Sequence, residues 1–174
     1  IYTFRILLMR GMHMLNKLIT RKYINKIVED LECLNGSDFE QLSYLIGEHY
    51  LKKVLQKRGL TLLGHPVGYT LDAYSDNMSE CIECSVEKKY FDDFSEKDSG
   101  ENTKIEKDVQ HVLAKSKAPR HIFLFSNQMC TPSQATNLCN YIYRIEVAKC
   151  VEISWFDARK ISEYIISNML EDNL

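Results

Sequence analysis

The chain has 174 residues, of which 45% are hydrophobic and 26% are charged, and its formal net charge is −2. This length and composition fit one compact domain with a hydrophobic core, and they exclude disordered and fibrous proteins. Because 22 Lys and Arg are balanced by 24 Asp and Glu, a histone-like basic protein is also excluded. Any contact with nucleic acid must therefore come from a local basic patch.

The N-terminal residues 1–13 are apolar and basic, yet the apolar run from Ile6 to Met9 is too short to cross a membrane. No cleavage site built from small residues follows it, so we expect neither a signal peptide nor contact with a membrane. We interpret residues 1–13 as an upstream or cloning-derived segment, residues 14–36 as an N-terminal helix, and residues 37–174 as the main domain, which we expect to belong to a larger protein.

Two helices are predicted at the start of the ordered chain. Apolar residues recur at intervals of three and four over residues 15–33, which is typical of an amphipathic helix. Ser37 or Asp38 is expected to cap a second helix, and the apolar period continues until Gly59, a suitable C-terminal stop.

Three short segments rich in β-forming residues come next, over residues 60–67, 68–74 and 80–86. Gly, Pro, Asp and Asn separate them, which favours an antiparallel meander. Residues 87–108 are mostly polar and predict a solvated, mobile loop, which leads into a helix near residues 104–117.

The C-terminal third alternates between apolar strands and helices. We predict strands over residues 121–127 and 150–156, and helices over residues 132–148 and 158–170. Such alternation is typical of parallel βαβ packing, so the two strands should be neighbours in the sheet. The fold class is therefore α/β, with a central mixed β-sheet flanked by helices.

Two acidic residues occur on consecutive predicted strands, Asp72 in GYTLDAY and Glu83 in ECIEC. A hairpin between these strands would bring both carboxylates to one edge of the sheet, an arrangement that suits Mg²⁺. Glu83 and Ser85 share one strand face, so both side chains can point into one pocket. The alternative is a hairpin that carries two solvated acids.

The six cysteines do not have the spacing of a zinc site. Cys81 and Cys84 form a CxxC pattern by sequence, but on a strand their side chains point to opposite faces. We expect reduced, buried thiols and a cytoplasmic location for the whole set, whose other members are singly placed: Cys33, Cys130, Cys139 and Cys150. A cysteine nucleophile is a weaker hypothesis, because no cysteine and histidine pair marks the start of a helix.

Basic residues cluster in two places and could contact phosphates or complement helix C-termini. The first cluster contains Lys52, Lys53, Lys57 and Arg58, and the second contains Lys115, Lys117 and Arg120. The histidines are scattered, and of these His65 lies nearest to Asp72 in sequence. Tyr90 and Phe91 could stack a base, although we favour anchoring of the polar loop to the core. Asp157 is interpreted as the N-cap of the last helix.

The order of these elements resembles the PD-(D/E)xK nuclease superfamily, especially its Mrr-type restriction endonuclease branch. The resemblance covers residues 37–170 and implies a restriction-endonuclease-like sheet that binds Mg²⁺ or Mn²⁺. It also implies that Asp72 and Glu83 bind the metal and that Glu40, in SDFEQL on the second helix, supports the site.

The segment ECSVEKKYF also resembles the S-x-E-K motif of the bacterial SMEK domain, through Ser85, Val86, Glu87 and Lys88. That domain occurs at the N-terminus of larger defence-associated proteins. The resemblance therefore implies an antiviral defence role, as a homo-oligomer or as part of a multidomain protein.

One departure from the nuclease pattern concerns the ExK triplet, which here is Glu83-Cys84-Ser85. A serine hydroxyl can orient water, but it brings no positive charge to the transition state. Lys88 is the nearest residue in sequence that could supply this charge, and Lys89 is the reserve. Lys104 and Lys107, on the next helix, are the candidates after them.

The sequence therefore predicts a metal-dependent endonuclease that acts on DNA, with RNA as the alternative substrate. Its catalytic residues would be Asp72, Glu83, Ser85, Lys88 and Glu40. The competing hypothesis is a catalytically inactive nuclease fold that binds nucleic acid or mediates oligomerisation in a larger protein.

Overall fold

The computed structural model describes residues 2–57, 70–92 and 103–169, with only the backbone for residues 2–16. The helices in this part of the chain are α1 (Tyr2–Glu32), α2 (Gly36–Leu51), α3 (Lys104–Lys115), α4 (Pro132–Lys149) and α5 (Ala158–Tyr164), and α5 continues as a π-helical segment over Ile165–Met169. The strands are β1 (Gln56–Lys57), β2 (Ala73–Tyr74), β3 (Glu80–Ser85), β4 (His121–Ser126) and β5 (Glu152–Phe156).

The five strands form one mixed sheet in the order β1-β2-β3-β4-β5. The first three pair antiparallel, whereas β3, β4 and β5 are parallel. The register of β4 and β5 pairs Ile122 with Ile153 and Phe125 with Phe156, which confirms the predicted neighbourhood of these strands. The predicted α/β class, with a helix-flanked central sheet, is confirmed as well.

Each face of the sheet is covered by its own hydrophobic cluster. On one face, α3 and α4 contribute Ile105, Val109, Val112, Leu138 and Ile142, which pack on Ile122 and Leu124 of β4. On the other face, α1, α2 and α5 contribute Leu31, Phe39, Ile46 and Ile161, which pack on Phe123 and Phe125. Because β4 is buried on both faces, its sequence is a continuous apolar run rather than an alternating one.

The first helix is longer than predicted, and some residues of its apolar stripe are exposed. It begins at Tyr2 instead of residue 15. Leu18, Ile19 and Tyr23 belong to its apolar stripe but are exposed. Among the α1 side chains that the structure describes, Ile27, Val28 and Leu31 pack on the core.

The second helix differs from the prediction at both ends. Its N-cap is Asn35, not Ser37 or Asp38, because the Asn35 side chain already accepts a hydrogen bond from the Asp38 N–H at 3.0 Å. It ends at Leu51, well before Gly59, where Lys52 adopts a left-handed conformation with φ of 50°. The Glu48 carboxylate then accepts the Leu55 N–H at 2.9 Å, and the chain turns into β1, a strand that the sequence did not predict.

Several predicted features lie outside the described residues, namely the strand over residues 60–67, the first two residues of the segment 68–74, His65 and Arg58. The structure describes residues 87–92 and 103–108 of the predicted loop over residues 87–108, and α3 begins at Lys104 within this range. Residues 88–91 form a turn in which Tyr90 and Phe91 are buried. Their anchoring role is confirmed, and base stacking by these two side chains is not compatible with their burial.

The six cysteines are free thiols. Cys81 is buried in the cluster beneath α3, whereas Cys84 packs against the opposite cluster, so their side chains point apart as expected. The expectation of burial was wrong for Cys33, Cys139 and Cys150, which are exposed. These three lie near the ends of helices or on an outward helix face, where the core does not reach.

Among the residues that the structure describes, no helix combines the length and the apolar character needed to cross a membrane.

Asp157 is confirmed as the N-cap of α5, and it also ties this helix to the segment before α4. Its carboxylate accepts the Lys160 N–H at 2.8 Å and the Cys130 N–H at 3.1 Å, and its side chain is buried. We expect Asp157→Ala to lower the free energy of unfolding by about 2 kcal/mol, because two backbone amides lose their acceptor. Urea denaturation measures this, with the exposed Arg159→Ala as the control; equal stabilities would contradict the capping role.

Candidate active site

The predicted hairpin exists and brings Asp72 next to the acidic strand. β2 pairs with β3 through Ala73 opposite Ile82 and Tyr74 opposite Cys81. One further residue in the same register places Asp72 level with Glu83. The Asp72 carboxylate accepts the Cys84 backbone N–H at 2.9 Å and the Cys84 thiol at 3.3 Å, which fixes its orientation.

Both carboxylates are buried, so they are not the solvated acids of the alternative interpretation. Asp72 is 8% exposed and Glu83 is 5% exposed. Burial, the neighbouring charges of Asp72 and Asp108 and a side-chain hydrogen bond with Asp72 together raise the pKa of Glu83 to about 9, although the Lys104 charge opposes them. The two carboxyl groups therefore lie close together in a site with an excess of negative charge.

Helix α3 completes this site with three polar residues on one face. Lys104, Asp108 and His111 are spaced four and three residues apart, so their side chains project in the same direction. The Lys104 ammonium donates to Asp108 at 2.5 Å. The His111 Nδ1 atom lies 2.8 Å from the Glu83 Oε1 atom. The buried Tyr90 hydroxyl donates to the other Asp108 oxygen at 3.0 Å.

The pKa values in this network follow from burial and from Lys104. Burial raises the pKa of Asp108 despite the opposing effect of the Lys104 ammonium. Burial alone would lower the pKa of Lys104, but the hydrogen bond and the charge of Asp108 more than offset this, and the net pKa is raised. Lys104 thus stays positively charged beside two buried acids.

A cleft of about 920 Å³ opens between α2 and the end of β3, next to this network. Of the predicted site residues, Asp72, Ser85 and Glu40 line it, together with Lys57 and Lys104. Glu83 is buried beside the lining residue Asp72, and neither Glu83 nor His111 is among the lining residues. Lys88 and Lys89 are exposed on the turn after β3 and are not among the lining residues. The assignment of the catalytic cation to Lys88 stays a prediction, while Lys104 is a cleft lysine that lies beside Asp108 and Glu83.

The sequence analysis does not identify Asp108 or His111 as site residues. Their signal was present in the spacing of Lys104, Asp108 and His111, which puts three polar side chains along one side of an amphipathic helix. The contact between His111 and Glu83 joins residues that are 28 positions apart, and it depends on how α3 packs on the sheet.

The donor atoms at this site suit a hard divalent cation. Asp72 and Glu83 offer oxygen ligands, and three buried carboxylates face one ammonium, so an added positive charge would relieve their repulsion. Among the described residues, no group of three or more His, Cys, Asp or Glu side chains is arranged to hold a metal. Two carboxylates are nevertheless enough for Mg²⁺, which keeps several waters and takes further oxygens from a bound phosphate.

The thiols near the site do not suit nucleophilic chemistry. Burial, followed by the charge of Asp72, raises the pKa of Cys84 far above its usual range. Burial also raises the pKa of Cys81 to about 12. Because the thiolate is the reactive form, these two side chains remain inert near neutral pH.

The raised pKa of Glu83 has a consequence for stability without metal. The carboxyl keeps its proton in the folded state up to about pH 9, whereas the unfolded chain releases it near pH 4.5. Stability should therefore fall as the pH rises from 5 to 9, by at most about 1.4 kcal/mol per pH unit from this group. Glu83→Gln, which stays neutral, should flatten the curve in urea denaturation with EDTA, and parallel curves for the two proteins would contradict the burial of an ionisable group here.

Comparison of the chain with protein-family models, with curated proteins and with solved structures found no match in any of the three.

Proposed function

We propose that this chain is a metal-dependent endonuclease that hydrolyses phosphodiester bonds of DNA, as an effector domain of a larger, cytoplasmic defence protein. The observation that carries the proposal is the convergence of Asp72 and Glu83 beside the Lys104 ammonium, with Asp72 and Lys104 in the lining of an open cleft. The resemblance of the element order to PD-(D/E)xK nucleases, and of residues 85–88 to the SMEK motif, supports the same function.

Each residue has a role that follows from its position. Asp72 and Glu83 would hold Mg²⁺ or Mn²⁺, which when bound lowers the pKa of a water and offsets charge on the phosphate. The Lys104 ammonium stabilises negative charge that develops on the reacting phosphate. The Ser85 hydroxyl, which accepts the Glu87 N–H at 3.2 Å, is placed to orient a water in the cleft.

The cleft has polar groups on the side opposite the acids as well. Glu40 on α2 is half-buried, lines the cleft with Asp72, and lies close enough for its charge to raise the pKa of Cys84, consistent with a supporting role. Lys57 at the cleft rim donates to Gln41 and lies 4.0 Å from the centre of the Tyr44 ring. Its fixed position suits contact with a backbone phosphate, since phosphate contacts position a nucleic acid without reading its sequence.

The test is a cleavage assay with purified chain, supercoiled plasmid and a metal ion. We expect nicked and linear products with Mg²⁺ or Mn²⁺ and none with EDTA. A single-stranded RNA of matched length separates the two substrate classes, because hydrolysis of RNA alone would replace DNA as the substrate. No cleavage of either substrate with any of these metals would refute the proposed activity.

A second candidate is the inactive nuclease fold that binds nucleic acid. The observation that favours it is the position of Glu83, which is bonded to His111 and is not among the residues that line the cleft. Binding of duplex DNA in a gel-shift assay, without cleavage under any metal condition, would select this candidate.

A further inference from the structure

A second pocket lies at the end of the sheet opposite the acidic cleft, where strands β4 and β5 begin. Its volume is about 450 Å³, and it is formed by the end of α3, the segment before β4 and the end of α4. Three cationic side chains line it, Lys117, Arg120 and Lys149. Two of them belong to the second basic cluster of the sequence, which the proposed nuclease site does not use.

These cations have no counter-charge within the described part of the chain, where none of the three makes an ion pair or a side-chain hydrogen bond. The acids nearest in sequence are engaged with other groups. Glu146 accepts the Ile153 N–H at 2.7 Å, and Glu152 lies 3.7 Å from the His121 ring. A pocket lined by one sign of charge concentrates the opposite charge from solution.

The helix dipole explains only part of this cluster. Lys149 occupies the last turn of α4, where a cation complements the carbonyl end of the helix. Lys117 and Arg120 lie beyond the end of α3, outside the turn in which the dipole acts. Their convergence with Lys149 therefore needs a different explanation.

The backbone of the segment that carries Lys117 and Arg120 is anchored, so the frame of the pocket is preorganised while the three charged side chains are exposed. The Ser116 hydroxyl donates to the Met78 carbonyl at 2.7 Å, and the Arg120 N–H donates to the Ser79 carbonyl at 2.7 Å. Leu113, Ala118 and Pro119 add an apolar wall beside the charges. A preorganised site holds a ligand at a smaller entropic cost than a mobile one.

We propose that this pocket, the distal basic pocket, binds the phosphate group of a phosphate ester. Three cationic side chains and an apolar wall match an anionic phosphate attached to a less polar group. The pocket is separated from the acidic cleft by the length of β4, which is about 20 Å for six residues. The phosphate could belong to a nucleic-acid backbone or to a free nucleotide, and the experiment distinguishes these sources.

The test uses the full chain in EDTA, so that it is independent of cleavage. Inorganic phosphate, adenosine 5′-monophosphate and a 16-base-pair DNA duplex are titrated in turn and followed by calorimetry and by backbone NMR. The variant Lys117→Gln/Arg120→Gln/Lys149→Gln removes the three charges. Lys17→Gln/Arg144→Gln/Arg159→Gln is the control, because it removes three exposed cations that do not line the pocket.

We expect inorganic phosphate to shift the amide signals of residues 117–120 saturably and the pocket variant to bind it at least tenfold more weakly, with the control within twofold. If the source is a nucleic acid, the pocket variant also binds the duplex more weakly. The plot of log affinity against log salt concentration then becomes shallower, its negative slope shrinking in magnitude by about 2 to 3. If the source is a free nucleotide, the monophosphate binds one-to-one while duplex affinity is unchanged. Equal binding of all three probes by the pocket variant and the control would overturn the proposal.

Discussion

Asp72→Ala and Glu83→Ala are each expected to lower kcat/KM for Mg²⁺-dependent DNA cleavage by a factor of about 10³ or more, which corresponds to about 4 kcal/mol of transition-state stabilisation. The reason is the loss of a charged oxygen ligand. The measurement is plasmid cleavage under single-turnover conditions, together with Mn²⁺ binding by calorimetry, which should weaken in parallel.

The control for this pair is Asp76→Asn, which changes an exposed acid on the same hairpin that accepts a hydrogen bond from Gln56. It should cleave at the wild-type rate. Circular dichroism and thermal melting establish that the site variants remain folded, and Asp72→Asn replaces Asp72→Ala if the alanine variant does not. Wild-type cleavage by both folded site variants would rule out the metal ligands that we assign.

Lys104→Gln should lower kcat by a factor of about 10² to 10³ while changing metal and DNA affinity little. Glutamine keeps a hydrogen-bond donor toward Asp108 but removes the charge, and a group that acts on developing charge affects the rate more than ground-state binding. Single-turnover rates and gel-shift affinities, measured on the same preparations, separate these two effects.

Lys88→Ala and Lys89→Ala serve as the comparison, because both lysines are exposed and do not line the cleft. They should retain wild-type turnover. Ser85→Lys, which restores the ExK triplet, should recover part of the activity of Lys104→Gln. If Lys88→Ala loses turnover and Lys104→Gln does not, then Lys88 supplies the catalytic positive charge and Lys104 does not.

The parts of the fold that could be predicted from the sequence are those with strong local signals. The apolar runs of β4 and β5, and the Asp157 cap, depend on neighbours in the chain and on burial. The start of α2 could not be predicted, because Asn35, Ser37 and Asp38 are all good N-cap residues. Only the three-dimensional path of the backbone selects Asn35.

For the candidate site, the hairpin spacing was enough to bring Asp72 and Glu83 together. It was not enough to find the contacts from α3, because helical spacing shows which residues share a face but not what that face packs against. The same limit applies to the catalytic cation, because distance in sequence favours Lys88, whereas only the packing of α3 brings Lys104 to the cleft.

The parallel pairing of β3 with β4 has a consequence for the order of folding. Glu80 lies beside His121, about 40 residues later in the chain, whereas β2 and β3 are joined by a short turn. Closing the longer connection costs more chain entropy, so we expect the hairpin and the β4-α4-β5 unit to form early and to dock late. On this order of events, the acidic pair becomes buried only at the end of folding, when α3 brings Lys104 and His111 beside it.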